Sequence, residues 1–438
     1  MERTVSTVRI FPTKRVVKRW GIGFALVMAV LLIINAVMAW RAERRLEGKR
    51  TALRAAGLPA SIADLTPKPI DDESNAAIEI ERIKPRLDAF SREYNAFYQS
   101  ELGKMWSPRE EAGQPPTPEQ AAAIRTILEA YPDILTAFKR AAGRSAYASR
   151  LDFTLSHSDF LQSLMNRQSD VRMLARFADW HARLLIASDR VNEAALLGIN
   201  ELKLARLYEN EPTLVNYLVS IAVRGHAIDG ISRAIRAGSI TDETRGELLA
   251  ELDAQDRPTI KNALDTEFAT VLDYPTETTF RVPTFLAWPI KNWMLSELAA
   301  VEVALEAADR PYYEIRDKWG ERPTTQPGSQ LLLPAMQAAF QAEARRLALL
   351  RCLRILVALE AYRLRTGHDA SGLEDLALPD KAVIDPHSGK PLKLKHTEQG
   401  WIVYSVMENG VDDGGDFTDL KDWGLAPPKL VDAPQREE

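Results

Sequence analysis

The densest oxygen chemistry in the chain lies near its C-terminus, in ENGVDDGGDFTDLKDWG from Glu408 to Gly424. Carboxylates and carbonyls on a glycine-rich loop suit a hard cation, which takes six to eight oxygens in flexible geometry. The spacing is not that of an EF-hand, which needs a glutamate at its twelfth position. Histidines are few: His157, His181, His226, His368, His387 and His396, none at a zinc spacing such as H-E-x-x-H. Ser156-His157-Ser158-Asp159 holds the residue types of a hydrolytic triad, but a triad is made by folding and not by adjacency. Asp179 and His181 are two apart, on different faces of a helix. Asp385 and His387 read as turn formers before Pro391. The pairs Asp71/Asp72 and Asp412/Asp413 read as exposed loop carboxylates. The sequence holds no G-x-S-x-G, no P-loop and no G-x-G-x-x-G.

The elements that would position such residues begin with an anchor. Gly21 to Ala39, GIGFALVMAVLLIINAVMA, carries no charge, and Asn35 is its one strongly polar side chain. At 1.5 Å per residue the run spans roughly 28 Å, close to the ~30 Å hydrocarbon core of a bilayer. Trp20 and Trp40 flank it, at the depth where indole rings settle. A single transmembrane helix over 20–40 is expected, between a basic cytoplasmic tail at 1–19 and a stalk helix at 41–66. A cleaved signal peptide ending near Val37-Met38-Ala39 is the competing reading, though its apolar region is normally shorter, about 7–15 residues. Basic residues nearly balance across the span: Arg3, Arg9, Lys14, Arg15, Lys18 and Arg19 before it, Arg41, Arg44, Arg45, Lys49, Arg50 and Arg54 after it. A short basic tail is hard to translocate, which places the N-terminus inside and the body extracytoplasmic.

A helical body is expected over 67–335. Prolines 67 and 69 mark a linker, after which Asp71, Asp72 or Ser74 caps a helix starting near Asn75, with a kink at Pro85. Thr117 caps the next helix, 118–131. From Asp170 to Gly238 the apolar residues recur at three and four, as in Leu174, Phe177, Ala178, His181, Leu184 and Leu185. Short connections at Ser188–Arg190 and Pro212 make this a stack of helical hairpins. Residues 274–334, rich in proline and aromatics, read as core plus a long loop, or as a binding surface, with a mobile loop at ERPTTQPGSQ.

The last hundred residues form a small α+β module over 336–425. A helix from Ala342 to Thr366 ends at Gly367. Strands at Leu392–His396 and Trp401–Ser405 follow, joined by a four-residue turn. Residues 426–438 read as a disordered tail. The order LEAYRLRTG, LEDL, DPHSGKPLKL and GWIVYSV-x-ENGVDDGG resembles the soluble part of the major pseudopilins of type II secretion systems. The likeness covers about 342–424, and its D-P segment is one residue longer here. It implies a calcium site built from the carbonyls of Val406 and Val411 and the side chains of Asn409 and Asp419. Thr418 stands where a further acidic ligand is expected, and Asp412, Asp413, Asp416 or Asp422 would replace it. The glutamate that follows a prepilin cleavage site is missing from Gly21–Ala39. The whole chain, with its DDESNAA segment (Asp71–Ala77), is also similar to uncharacterised membrane-anchored proteins of planctomycete-type bacteria.

With 438 residues, 46% hydrophobic and 27% charged, the chain has ample material for a core. A net charge of −5 supplies no basic field, so nucleic acid is not an expected partner. Cys352, the lone cysteine, excludes an intrachain disulfide. The expectation is a mainly α, single-pass protein of the inner (cytoplasmic) membrane. Its partners would be the lipid bilayer and an envelope protein, and its function non-enzymatic binding or scaffolding. An envelope hydrolase with a site among the helices, or an accessory component of a type II secretion-like system, are the alternatives.

Overall fold

The computed structural model describes residues 14–273, 287–318 and 329–429. They form a mainly helical molecule. The order is α1 (Lys14–Ala55), α2 (Ala76–Gln99), α3 (Glu101–Glu111), α4 (Pro118–Glu129), α5 (Pro132–Ala142), α6 (His157–Ala187), α7 (Val191–Tyr208), α8 (Leu214–Ala237), α9 (Asp242–Gln255), α10 (Ile260–Asp273), α11 (Ala287–Ala307), α12 (Tyr312–Ile315), α13 (Ser329–Thr366) and α14 (Asp380–Val383). A three-stranded antiparallel sheet closes the chain: β1 (Lys393–Thr397), β2 (Gly400–Ser405) and β3 (Trp423–Leu425), in that spatial order.

Local chemistry sets the helix ends. The cap of α2 is Asn75 itself, not Asp71, Asp72 or Ser74. Its Oδ1 accepts the amides of Ala77 and Ala148, each at 3.0 Å, while its Nδ2 donates to the Ala148 carbonyl at 2.8 Å. One buried amide therefore starts a helix and pins residues 146–148 beside it. Pro85 sits on the exposed side of α2, and the helix runs on through it. Thr117 and Gln120 form a capping box at α4, as the sequence suggests. Ser156 caps α6 by accepting the Asp159 amide, so Ser156 and Asp159 serve the helix start, which lies well before Asp170.

Helices α2 to α8 build the first core. Phe90, Tyr94, Phe97, Tyr98 and Phe177 surround the buried Trp180 or each other at centroid distances of 4.7–6.0 Å, several of them edge-to-face. A second core joins α7, α8 and α9 to α13 and the sheet, through Ile199, Ile231, Leu252, Leu353, Ile355 and Val403. The C-terminal module thus shares its core with the body, because α13 belongs to both. That helix begins at Ser329, earlier than the expected Ala342, and carries Pro334 near its start. The strand turn is two residues, Glu398-Gln399, since β1 and β2 pair as far as Thr397 and Gly400. The third strand was not expected: three residues are too few to show an alternating pattern. Ala426 to Lys429, expected as disordered tail, lies on the body instead, with the Lys429 amide donating to the Ala112 carbonyl at 2.9 Å. Residues 430–438 lie outside the described residues, as do 321–328 of the expected mobile loop and Tyr274, Pro275, Phe280, Pro283, Phe285 and Trp319.

Helix α1 is one uninterrupted helix from the basic tail to Ala55. It is the one described helix long and apolar enough to cross a membrane. Its large apolar side chains from Ile22 to Val37 are exposed, and burial begins at Ala39 and recurs at Ala42, Leu46 and Arg50. The residues expected as a stalk therefore do not stand clear. They pack against α10 and α11 through Leu46, Phe268, Leu272, Leu298 and Val301, and Arg50 donates to the Leu272 carbonyl at 2.7 Å. Helix α11 occupies part of the expected long loop; it is hidden in sequence because it is apolar on most sides.

On α11, Glu297 is buried and its Oε1 has no hydrogen-bond partner among the described residues. Burial pushes its carboxyl up to about 7. A carboxyl whose folded pKa is raised costs nothing below the unfolded value, near 4.5. It costs progressively more as pH rises, with the full cost above pH 7. Glu297→Gln should therefore stabilise the protein by about 2–3 kcal/mol at pH 8 and leave it unchanged at pH 4. Denaturant titrations at the two pH values check this; an equal effect at both would show that the charge is not what matters.

Candidate binding cleft

The acidic loop at 408–422 is closed by its own hydrogen bonds. Asn409 Oδ1 accepts the Val411 amide at 2.9 Å, and its Nδ2 donates to Asp413 at 2.8 Å. Asp412 accepts from the Tyr404 hydroxyl at 2.8 Å and from the Gly414 amide. Asp416 accepts from Thr418 and Lys421, which hold it far below the usual carboxylate range. The buried Asp422 accepts the Gly415 amide at 2.8 Å. Val406 is buried at the end of β2, Val411 is exposed, and Asp419 has left-handed backbone. The set Val406, Asn409, Val411 and Asp419 offers two backbone carbonyls, one carboxylate and an amide oxygen already engaged, fewer than the six to eight oxygens calcium takes. Asp416 would join only by giving up its threonine and lysine. Among the described residues no three His, Cys, Asp or Glu side chains lie together as metal ligands would. As arranged, the loop does not fit the ion.

Other sequence candidates are structural. Asp385 is buried and accepts the His387 amide, the Ser405 hydroxyl at 2.7 Å and the Ser388 hydroxyl at 2.9 Å, tying the turn to β2. His387 is buried against the Tyr312 ring, at 5.2 Å, and burial lowers its pKa. His181 packs on Phe177, and burial brings it down to about 4.

The chemistry the structure does assemble lies where α6 and α8 meet the chain's last described residues. Helix α8 carries Ala222, Gly225 and Ser232 along one side, and these small residues leave room. A Cβ added at Gly225 would meet nothing within 4 Å. The result is a cavity of about 590 Å³, adjoined by one of about 230 Å³. Segment 426–429 crosses them as a strap, held by Lys429 on Ala112 and by Gln114 Nε2, which donates to the Lys429 carbonyl at 2.8 Å. Left-handed Gly113 lets the loop after α3 come within contact of Pro428.

Arginines supply most of the positive charge in the lining. Arg233 and Arg236 border both cavities, Arg183 the smaller and Lys429 the larger, against the acids Asp229 and Glu111. Behind them Asp179 is bonded by Arg183, at 2.7 Å, and by Arg233, which also reaches Asp229. Burial alone would raise the Asp179 carboxyl, but these two guanidiniums outweigh it and hold it well below the usual range. Glu110 behaves oppositely: burial raises it despite Arg183, and it accepts the Tyr98 hydroxyl at 2.5 Å. Arg183 Nη1 and Arg233 Nε have no partner among the described residues. Among the described residues Arg236 is bonded to neutral oxygens alone, Ser232 Oγ and the Leu425 carbonyl, each at 3.3 Å, and burial brings it down to about 10. Guanidiniums bordering a cleft with apolar walls are a site for a carboxylate or similar anion.

Sequence reading missed this cleft because its parts are far apart: positions 113, 183, 225–236 and 425–429. The available signal was Arg233 and Arg236 at i and i+3 on a helix that also holds Gly225. Compared with protein-family models, curated proteins and solved structures, the chain matches none.

Proposed function

We propose that the chain is a membrane-tethered, non-enzymatic binding protein of the bacterial envelope. One helix crosses the cytoplasmic membrane with its N-terminus inside. The body stands on the outer face, and its arginine cleft receives a carboxylate-bearing segment of an envelope protein. The observation that carries this reading is the change of environment along α1. Its apolar side chains are exposed for the length of a bilayer core, and the same helix then becomes part of the body's packing. An anchor so joined holds the cleft at a fixed distance from the membrane. The guanidiniums of Arg233 and Arg236, which border the cleft, supply the binding chemistry.

The anchor and the cleft are tested separately. Full-length protein should sediment with membranes and resist carbonate extraction, and a reporter fused after Glu438 should be active only outside the cytoplasm. Recovery of the intact chain in the supernatant would overturn the tether. For the cleft, Gly225→Met fills the open space and replaces glycine by a better helix former, so the fold should hold or gain up to about 1 kcal/mol. A glutamate-rich peptide at low ionic strength should raise the melting temperature of the wild type and not of Gly225→Met. Equal response in the two proteins would move binding away from the cleft.

A further inference from the structure

The body reaches back to the membrane at a second place. Helices α1 and α11 run parallel in a constant register. The Trp288 amide donates to Asn35 Oδ1 at 3.3 Å, and Lys49 pairs with Glu302, both at a separation of 253 residues. Between them Lys291 pairs with Glu43 at 2.6 Å. The register fixes depth: Asn35 lies four residues inside the end of the uncharged run at Ala39, so Trp288 lies roughly 6 Å below that end. An uncharged helix has little use for an asparagine in lipid, and here its carbonyl oxygen serves a backbone amide of the neighbouring helix.

What α11 presents at that level is amphipathic and partly exposed. Trp293 is 40% exposed and Trp40 on α1 is 54% exposed. Pro289 and Asn292 are also exposed. Arg44 stacks over the Trp40 ring at 4.1 Å, and Lys291 reaches up to Glu43, as a lysine does when its stem is in oil and its head in water. Indole, proline and snorkelling lysine beside a membrane helix match the headgroup level of a bilayer. We propose that the first two turns of α11, Ala287 to Trp293, lie in the lipid interface on the body's side of the membrane. They form a second contact that sets the tilt of the body. The proposal rests on α1 spanning the bilayer, and continuity with that helix is what names lipid as the occupant.

The test uses full-length protein in nanodiscs of phosphatidylcholine with phosphatidylglycerol. Cys352 is fully buried, so single exposed cysteines at Val27, Asn292 and Glu306 can each carry a bimane fluorophore in a Cys352→Ala background. Lipids brominated on the acyl chain are the quencher. The expected order is strong quenching at 27, at least half as much at 292, and none at 306, which lies higher on α11. Quenching at 27 with none at 292 would sink the interfacial contact while leaving the anchor in place; a protein partner or second copy on that face gives this result. No quenching at 27 would sink the anchor itself.

Discussion

Arg346→Met should lower the free energy of unfolding by about 3–5 kcal/mol, the usual cost of breaking a buried ion pair by removing one partner. Arg346 is buried in the middle of α13. It donates to Glu343 at 2.5 and 2.8 Å, to the Gln255 carbonyl at 3.0 Å and to the Arg257 carbonyl at 2.7 Å. Glu343 in turn accepts the Tyr217 hydroxyl at 2.6 Å and the Thr259 amide at 3.0 Å. This one guanidinium therefore joins α13, the end of α9 and α8. Methionine fills much of the volume but leaves the buried Glu343 carboxylate without its counter-charge and the Gln255 and Arg257 carbonyls without the guanidinium's hydrogen bonds. Burial would raise the Glu343 carboxyl, yet Arg346 and the hydrogen bonds hold it below its ordinary value. Without the arginine, burial wins. The sign of the pH dependence then reverses, and the deficit should shrink as pH falls and Glu343 takes up a proton. Urea titrations at pH 7 and pH 5 measure both effects. A loss under about 1 kcal/mol would mean that these helices are joined by apolar packing alone.

Much of this architecture could be read from residue order. The exposed stretch of α1 is visible because lipid and water select residues so differently that a run without charge has one main explanation. The hairpins of α6, α7 and α8 are visible because Leu174, Phe177, Ala178 and Leu184 repeat with the helical period against a single core. Helix α11 has no such contrast. It packs against α1, α10 and α13 and buries Met294, Leu298 and Val301, so apolar residues occur on most of its sides, and the prolines at 275, 283 and 289 suggested a loop. The cleft was illegible for another reason. Arg183, Arg233 and Arg236 look like solvated arginines on helix faces, as most are. They border one cleft because the residues after β3 return across it. Conversely, the acidic loop stood out by composition. Asp412, Asp413, Asp416 and Asp422 turn out to be spent on local turns, which is what Asp and Asn do when their own backbone is near.

Asp179→Asn should cost about 3 kcal/mol and, unlike other destabilising changes, should be rescued by an anion. Asparagine keeps the shape but leaves Arg183 with Glu110, at 3.6 Å, and Arg233 with Asp229 as the remaining acids. The wild-type carboxyl is held low by two guanidiniums. Its contribution is therefore complete above the unfolded value near 3.8 and is lost as pH falls below it. The gap between wild type and variant should accordingly be full at pH 7 and close towards pH 2. Sulfate stabilises most proteins by exclusion from their surface, so the informative quantity is its extra effect on the variant. If the arginines of the cleft hold anions, sulfate should restore Asp179→Asn by more than it helps the wild type. Sodium chloride at matched ionic strength should not, and the excess should vanish when Gly225→Met is added. Rescue that survives the filled cleft would place the anion elsewhere. Rescue that chloride reproduces would reduce it to screening. If the excess appears only with the cleft open, Asp179 is the internal counter-ion that keeps the two buried guanidiniums of Arg183 and Arg233 ready for an external one, since a site of unpaired arginines could not stay folded while empty.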